Sequence, residues 1–549
     1  MEIASVASGH RWRRAARSLH WGWAVGASAM VALLALPIVS VPLRALGPVG
    51  DTWSHVVETL LPGYLGNTAF LIVVSGGVAL ALGAGTAWLV AVCDFPGRRL
   101  FRWALVLPLG VPAWMAAYVY AAMTDVTGSV QRVVRALVPG MADSFLYWNV
   151  MRIEVVAVLF GLVLFPYVYL PARALLEQRA GPTLEAARLL GHGPLSVFRR
   201  VGLPLARPAL AGGLALVLME VLNDYGAVKY YGVPTFTTGI FRAWFTLGDL
   251  DSAVRLAALL MLVVLVLLFM ERLQRGSASY HGVGGARTTP MYRLRGSRAA
   301  FAMIACGTPV LLGFVIPVTQ LLIWSVRTAP GVVDGRFVRL TLNSVGLAAA
   351  AGLLAVAIAI PLAFASRIDR TVMTRSLTRV ALLGYSVPGA VIAVGVLTTS
   401  LAIDRFAGGG TTLVVTGTAA ALVFAYVVRF MAVAYLPVEA GLEKIGEALP
   451  AASRTLGASP LRTLFRVELP LLRGSILAAA TLVVIDVLKE LPLTLILRPF
   501  NLDTLATRAF QLATDEQVAQ SAPAALIVVG CASLVVAVLH RTLDQSEST

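Results

Sequence analysis

The chain has 549 residues, of which 58% are hydrophobic and only 13% charged, and its mean hydropathy is +0.82. A soluble globular protein of this length would need far more polar surface, so that class is excluded. The net charge of +16 does not point to nucleic acid either, because the basic residues gather in every second loop between apolar blocks.

Taken in chain order, the apolar blocks fall near 21–45, 67–93, 102–123, 152–175, 206–228, 252–271, 300–325, 343–366, 378–402, 412–436, 474–495 and 521–540. Each has about the length that crosses a bilayer core as a helix. They predict an all-α polytopic membrane protein with about twelve transmembrane helices. The basic clusters Arg11–Arg17, Arg98–Arg102, Arg179–Arg207, Arg272–Arg298, Arg367–Arg379 and Arg454–Arg473 place both termini in the cytoplasm by the positive-inside rule. The first block has a basic flank without a convincing small-residue cleavage site, and reads as a retained helix. Cys93, Cys306 and Cys531 lie too far apart for a disulfide framework or a zinc motif.

The sequence repeats itself. "EAARLLGHGPLSVFRRVGLPLAR" (185–207) returns 266 residues later as "AASRTLGASPLRTLFRVELPLLR" (451–473), with twelve of 23 positions identical. "MEVLNDYGAVKYYGVPTFTTGIFRAW" (219–244) aligns with "IDVLKELPLTLILRPFNLDTLATRAF" (485–510) at the same offset, while Asn67 and Pro112 match Asn343 and Pro388 at an offset of 276. The expected organisation is a first half at 1–272, a cytoplasmic linker at 273–298 and a second half at 299–549. Each half holds six helices, so the two repeats run parallel. Such duplication fits a transporter and leaves open whether ATP or an ion gradient drives it.

The repeated polar segment reads as a helix–turn–helix knob. Gly191 suits the left-handed residue that ends a helix, and Pro194 or Ser459-Pro460 begins a second one. Leu195, Phe198 and Val201 would offer an apolar stripe to the cytoplasm beside Arg199 and Arg200, and Leu203-Pro204 and Leu469-Pro470 would end the second helix. A loop that only set topology would explain the arginines but not the shared spacing of Gly, Pro, Val and Leu-Pro. His192 faces Ala458 in the other copy, which gives it little weight as a ligand.

On these residues the segment resembles the EAA loop of ABC importer permeases. Glu185, Ala186, Ala187, Gly191, Val201, Leu203 and Pro204 carry the resemblance in the first copy, and Ala452, Gly457, Val467, Leu469 and Pro470 in the second; Pro194 and Pro460 complete the two loops. Ala451 and Ser453 depart from the pattern, so the two halves differ in charge. The resemblance implies a type I ABC importer permease fold. It also implies two copies of a cytoplasmic ATPase subunit docked on these loops, and a periplasmic or lipid-anchored substrate-binding protein. The only lysines, Lys229, Lys444 and Lys489, are followed by Tyr, Ile and Glu, so no phosphate-binding loop of the G-x-x-x-x-G-K-[ST] type exists. The chain is expected to be no enzyme and to bind no cofactor, with ATP and magnesium used by the partner.

A second set of residues bears on the solute. Counted from Ala206 at about 1.5 Å per residue, Glu220 lies roughly 20 Å along the fifth helix. Glu220 and Asp224 are four apart and would share a helix face, with Asn223 beside them; Asp486 and Glu490 repeat the spacing, with Lys489 between. Gly226 and Pro492 are expected to interrupt the two helices. Ionisable groups at that depth usually face a bundle interior or a water-filled path, and carboxylates suit hard cations. Glu220, Asp224, Asp486 and Glu490 are therefore candidates for transient contact with a metal cation, and the same acids would tolerate an organic one. The run 486–510 resembles permeases of ferric-iron importers, and thiamine permeases are neighbours in that group. Arg242 and Arg508 match on the outward side, where a binding protein or plain solvent would meet them. The expectation is an ABC importer permease of the bacterial cytoplasmic (inner) membrane, for ferric iron; the alternatives are thiamine or another small organic solute, or an ion-coupled secondary transporter. Membrane lipid is a partner and nucleic acid is not.

Overall fold

The computed structural model describes residues 25–137, 150–179, 181–275, 292–368, 371–407 and 414–546. Arg11–Arg17, most of the expected linker (276–291) and much of the loop near 124–150 lie outside the described residues. Among the described residues, ten helices are long and apolar enough to cross a membrane: Val25–Ala45, Thr52–Val92, Ile153–Glu177, Pro194–Asn223, Leu250–Gln274, Ser297–Val332, Gly335–Ile368, Gly389–Ala407, Ala419–Ile445 and Pro460–Lys489. An eleventh is a pair, Arg98–Gly110 and Ala113–Leu137, bent by 87°. The last apolar block forms a shorter apolar helix, Val518–Leu534. All twelve predicted blocks are thus helical, although two fall short of a straight full-length span. Val111-Pro112 explains the bend: proline lacks the N–H that would continue the ladder and turns the preceding residue extended, and a 3-10 turn at Leu107–Gly110 leads into it. The matching Val387-Pro388 follows a 3-10 turn at Leu383–Ser386.

The helices form two compact units that cut across the sequence halves. One unit combines 1–47 with 341–504, the other 48–340 with 505–549. In the first unit the helix Val25–Ala45 lies against the second repeat: the Cα of Gly395 faces the carbonyl of Pro37 with no room for a side chain. There, Ser40 bonds Thr398 at 3.3 Å. In the second unit Ser521, on the last helix, donates to the hydroxyl of Tyr118 at 3.3 Å, and Thr328 donates to the carbonyl of Ala519 at 3.1 Å.

Small residues set how closely the helices approach. Lipid is as apolar as a leucine side chain, so close van der Waals contact has to hold membrane helices together. In the second unit a Cβ on Gly83 would stand 2.6 Å from Cβ of Val168, and one on Gly213 would stand 2.5 Å from the carbonyl oxygen of Tyr167. These two contacts bind the helices Leu61–Val92 and Leu203–Asn223 to the helix Pro166–Arg179 between them. Arg255, buried at 7% exposure, donates to the carbonyl of Pro48 and lies 5.6 Å from the ring of Trp53, tying the helix Leu250–Arg275 to the segment before the helix Asp51–His55.

A methyl group on Gly77 would meet nothing within 4 Å, which gives an internal control. Gly213→Ala should lower the melting temperature of the detergent-purified protein, since overpacking costs about 1–3 kcal/mol, whereas Gly77→Ala should keep or slightly raise it, alanine being the better helix former. Equal melting curves for the two variants would contradict the close-packing account.

Candidate functional site

The two repeated segments fold alike. In the first, the helix Gly181–Leu189 ends at Gly191, whose φ is +82°; in the second, the helix Ala448–Thr455 ends at Gly457, whose φ is +86°. A side chain disfavours that left-handed conformation, which is why glycine stands at both places. The hydrogen bonds correspond one for one. Leu190 donates to Ala186, Gly191 to Arg188 and His192 to Ala187; Leu456 donates to Ala452, Gly457 to Arg454 and Ala458 to Ser453, all within 2.9–3.2 Å. The second short helices, Pro194–Val197 and Pro460–Thr463, begin on Gly193 and on Ser459, whose side chain accepts from the N–H of Arg462.

Leu203-Pro204 and Leu469-Pro470 do not end these helices, contrary to the sequence expectation. A π turn, Phe198–Gly202 or Leu464–Glu468, carries the helix through, and Pro194–Asn223 and Pro460–Lys489 are each continuous over 30 residues. The wider turn relieves the clash that a proline ring makes with the carbonyl one turn back. The predicted apolar stripe also faces the other way in part. Phe198 packs on Trp88, with ring centroids 5.1 Å apart, and Val197 is fully buried. Leu195 is exposed as expected, and Leu189 and Leu190 join it in the first knob, as do Leu456, Leu461 and Phe465 in the second.

Three side-chain differences separate the knobs. Glu185 is exposed, as is Ala451 opposite it. Ala187 and Val197 are buried in the first knob; their counterparts Ser453 and Thr463 share a hydrogen bond of 3.1 Å. Arg188 lies 5.6 Å from the ring of Tyr292, where the linker's far end, Tyr292–Arg293, pairs in parallel with Cys93–Asp94. Burial raises the pKa of the Tyr292 hydroxyl, with Arg188 pulling the other way, so that ring stays neutral beneath the cation.

At the far end of each 30-residue helix the chain breaks, two residues before Gly226 and Pro492. The helices stop at Asn223 and Lys489, and Asp224 and Glu490 are extended, with ψ of 131° and 124°. The acids of each pair therefore do not share a helix face, which corrects the spacing argument. The physical reason lies in the next turn. Oδ1 of Asp224 accepts from the N–H of Ala227 at 2.8 Å, and its carbonyl accepts from Thr237 at 2.9 Å. Oε1 of Glu490 accepts from the N–H of Leu493 at 3.2 Å, and its carbonyl accepts from Thr494 at 2.9 Å. Both acids cap a new short helix, Gly226–Tyr230 or Pro492–Leu497.

The other oxygen of Glu490 meets Arg429 at 3.2 Å, with both side chains at 7% exposure or less. Arg429 also donates to the carbonyl of Val387 at 2.9 Å. Lys489 pairs with Asp486 at 2.9 Å, both partly exposed. Glu220 and Asn223 are half-buried just before the first break. Among the described residues no group of three His, Cys, Asp or Glu side chains is arranged to hold a metal ion. Arg242 is exposed and Arg508 half-buried.

Two knobs and two breaks at matching places mark a duplicated unit, and the comparison with known families finds the same duplication. The family model described as "Binding-protein-dependent transport system inner membrane component" matches twice, at residues 77–276 and 352–548. The chain belongs to this family. It is a multi-pass membrane protein of the ABC importer permease class, built from two copies of the family's unit. It is similar to an Fe(3+)-transport system permease protein of Haemophilus influenzae, with 27% identity over 92% of this chain and 96% of that protein. It is also similar to a putative 2-aminoethylphosphonate transport system permease protein of Salmonella choleraesuis, at 29% identity over 45% of this chain and 86% of that one. A probable sulfate transport system permease protein of Nephroselmis olivacea is 28% identical over 39% of this chain and 72% of its own length.

Two features of this permease escaped the sequence reading. Arg429 is a lone arginine in the apolar run "FAYVVRFMAV", a signal of a buried partner, but its counterpart in the first half is Val163 and a search for repeated charges passes over it. The exposed leucines at the knob tips were hidden in an apolar background. The Ser453–Thr463 bond yields a double-mutant test. Ser453→Ala or Thr463→Val alone should destabilise the second knob by about 1 kcal/mol, while the double variant should recover much of the loss because it restores the apolar pair of the first knob. Thermal melts of the four proteins would read this directly, and simple additivity would refute it.

Proposed function

We propose that this permease imports ferric iron across the bacterial cytoplasmic (inner) membrane, with both termini in the cytoplasm. Two copies of a separate ATPase subunit, which use ATP and magnesium, would dock on the knobs at Glu185–Arg207 and Ala451–Arg473. A periplasmic or lipid-anchored binding protein would deliver the solute. The observation that carries the reading is the pair of knobs with matching backbone, each at one end of a continuous helix whose other end is a break lined by acids. The exposed leucines Leu190 and Leu456, at 79% and 89% exposure, are the apolar contacts an ATPase groove would cover. An ion-coupled transporter does not go with membership of a binding-protein-dependent family.

Iron as the solute is supported by the name of the Haemophilus influenzae relative, which matches nearly end to end. Among the four acids, Glu220 and Asp486 are the ones proposed to meet the passing ion, whereas Asp224 and Glu490 hold the broken helices in place. A second reading, an anion such as sulfate or a phosphonate, is favoured by the two shorter relatives; thiamine remains the organic alternative.

Uptake of labelled ferric iron, sulfate and thiamine, measured in cells lacking their own systems, separates these readings. Iron alone should accumulate. Replacing Glu220 and Asp486 by their amides should cut iron uptake at least about tenfold, a loss of about 1.4 kcal/mol, without altering the amount of folded protein; unchanged uptake would remove these residues from the path. Gly191→Asp together with Gly457→Asp should abolish co-purification of the ATPase while leaving the membrane helices folded. Retained binding and uptake would show that the knobs are not the docking elements.

A further inference from the structure

At the knob-bearing end of the unit formed by 1–47 and 341–504, a cavity of about 630 Å³ lies between the helix Val372–Leu382 and the last turns of the helix Ala419–Ile445. Arg375 and Arg379 line one side; Glu439 and Glu443 line the other. Its size falls within the roughly 300–1,000 Å³ of ordinary ligand sites.

The first repeat shows why the space is open here. There Glu177 is held by Arg102 at 3.1 Å and by Arg173 at 3.7 Å, and Arg173 and Tyr169 both donate to the carbonyl of Arg102. In the second repeat Tyr435 and Glu443 stand where Tyr169 and Glu177 do, but Glu439 replaces Arg173 and Thr378 replaces Arg102. The lattice of charges that fills the first repeat is thereby split. Tyr435 donates to Glu439 at 3.0 Å, and Thr378 turns to Ser366 at 2.7 Å. Arg367, also at the cavity, is committed to the buried Glu468 at 3.4 Å. Glu447 also lines the cavity; with Arg367 committed to Glu468, Arg375 and Arg379 on one wall face Glu439 and Glu443 on the other.

We propose that this cavity binds a zwitterionic phosphoamine head group, its phosphate on Arg375 and Arg379 and its ammonium on Glu439 and Glu443. Arginine pairs readily with phosphate oxygens, and basic pockets between membrane helices are recognised head-group sites. A purely anionic head group would set its charge against two carboxylates. The apolar residues Val372 and Met373, at 79% and 69% exposure beside the cavity, offer acyl chains a surface, so a phosphatidylethanolamine is the natural carrier; a free phosphoamine presents the same chemistry.

Native mass spectrometry of the full chain, purified in detergent and offered equal amounts of phosphatidylethanolamine and phosphatidylglycerol, tests this. The wild type should retain the ethanolamine lipid with a severalfold preference. E439Q/E443Q should shift the preference towards phosphatidylglycerol, a gain that an unfolded variant could not produce. R375Q/R379Q should weaken retention of both lipids. Soluble phosphoethanolamine that competes at lipid concentration would mark a free solute as the occupant, and failure to compete would mark the lipid; either fits the proposal. Equal retention of the two lipids by the wild type, or an unchanged ratio in E439Q/E443Q, would overturn it.

Discussion

A helix that stops among buried neighbours leaves N–H and carbonyl groups that water cannot reach, and each unmet group costs free energy. Both repeats meet this constraint in the same way. An acid at the break turns its side chain onto the N–H three residues ahead, and its own carbonyl takes a threonine hydroxyl. That device lets a long helix end and a short one start within three residues in each repeat. Asp224 and Glu490 are first of all parts of the backbone's hydrogen bonding. Any dealings they have with solute come on top of that duty.

The two copies have kept their backbone and exchanged side chains in linked sets. Alanine and valine inside the first knob become serine and threonine bonded to each other in the second. Glu490 is paired with Arg429, where the first repeat has valine at the matching position. The serine and threonine go together, because a buried hydroxyl left without its partner is more costly than an apolar pair. The consequence is two repeats with one geometry and different electrostatics.

That history explains what the sequence could and could not reveal. The twelve apolar blocks, the glycines at 191 and 457, and the prolines at 112 and 388 were legible because each acts locally, through hydrophobic length or backbone angle. The partners of the helices were not. Helix Val25–Ala45 belongs by contacts with 341–504, and nothing in its own apolar pattern says so. The spacing of Glu220 and Asp224 suggested a common helix face, yet period alone does not tell where a helix stops. Phe198 looked like an exposed stripe because a knob's inner and outer apolar residues have the same composition; only the position of Trp88 distinguishes them. Arg429 was passed over because its role exists in one repeat only.

Knob and break sit at opposite ends of one helical run of 30 residues in each repeat, a rod about 45 Å long at 1.5 Å per residue. Displacing a knob therefore moves a stiff element whose far end is the capped acid. What grips the near end differs between the copies. At Gly202 the ring of Trp88 occupies the space a side chain would take, so that rod is seated by packing. At the matching position Glu468, at 1% exposure, is held 3.4 Å from Arg367, and Arg367 in turn bonds the carbonyls of Leu442 and Gly446. That rod is seated by charge, in a place where salt screens little. Separating that pair would strand a charge, and the packed seat is no softer, because a close-packed interior is hardly compressible. The two seats thus differ in kind although the backbones match, and Glu185 puts a charge on the first knob that Ala451 does not supply on the second.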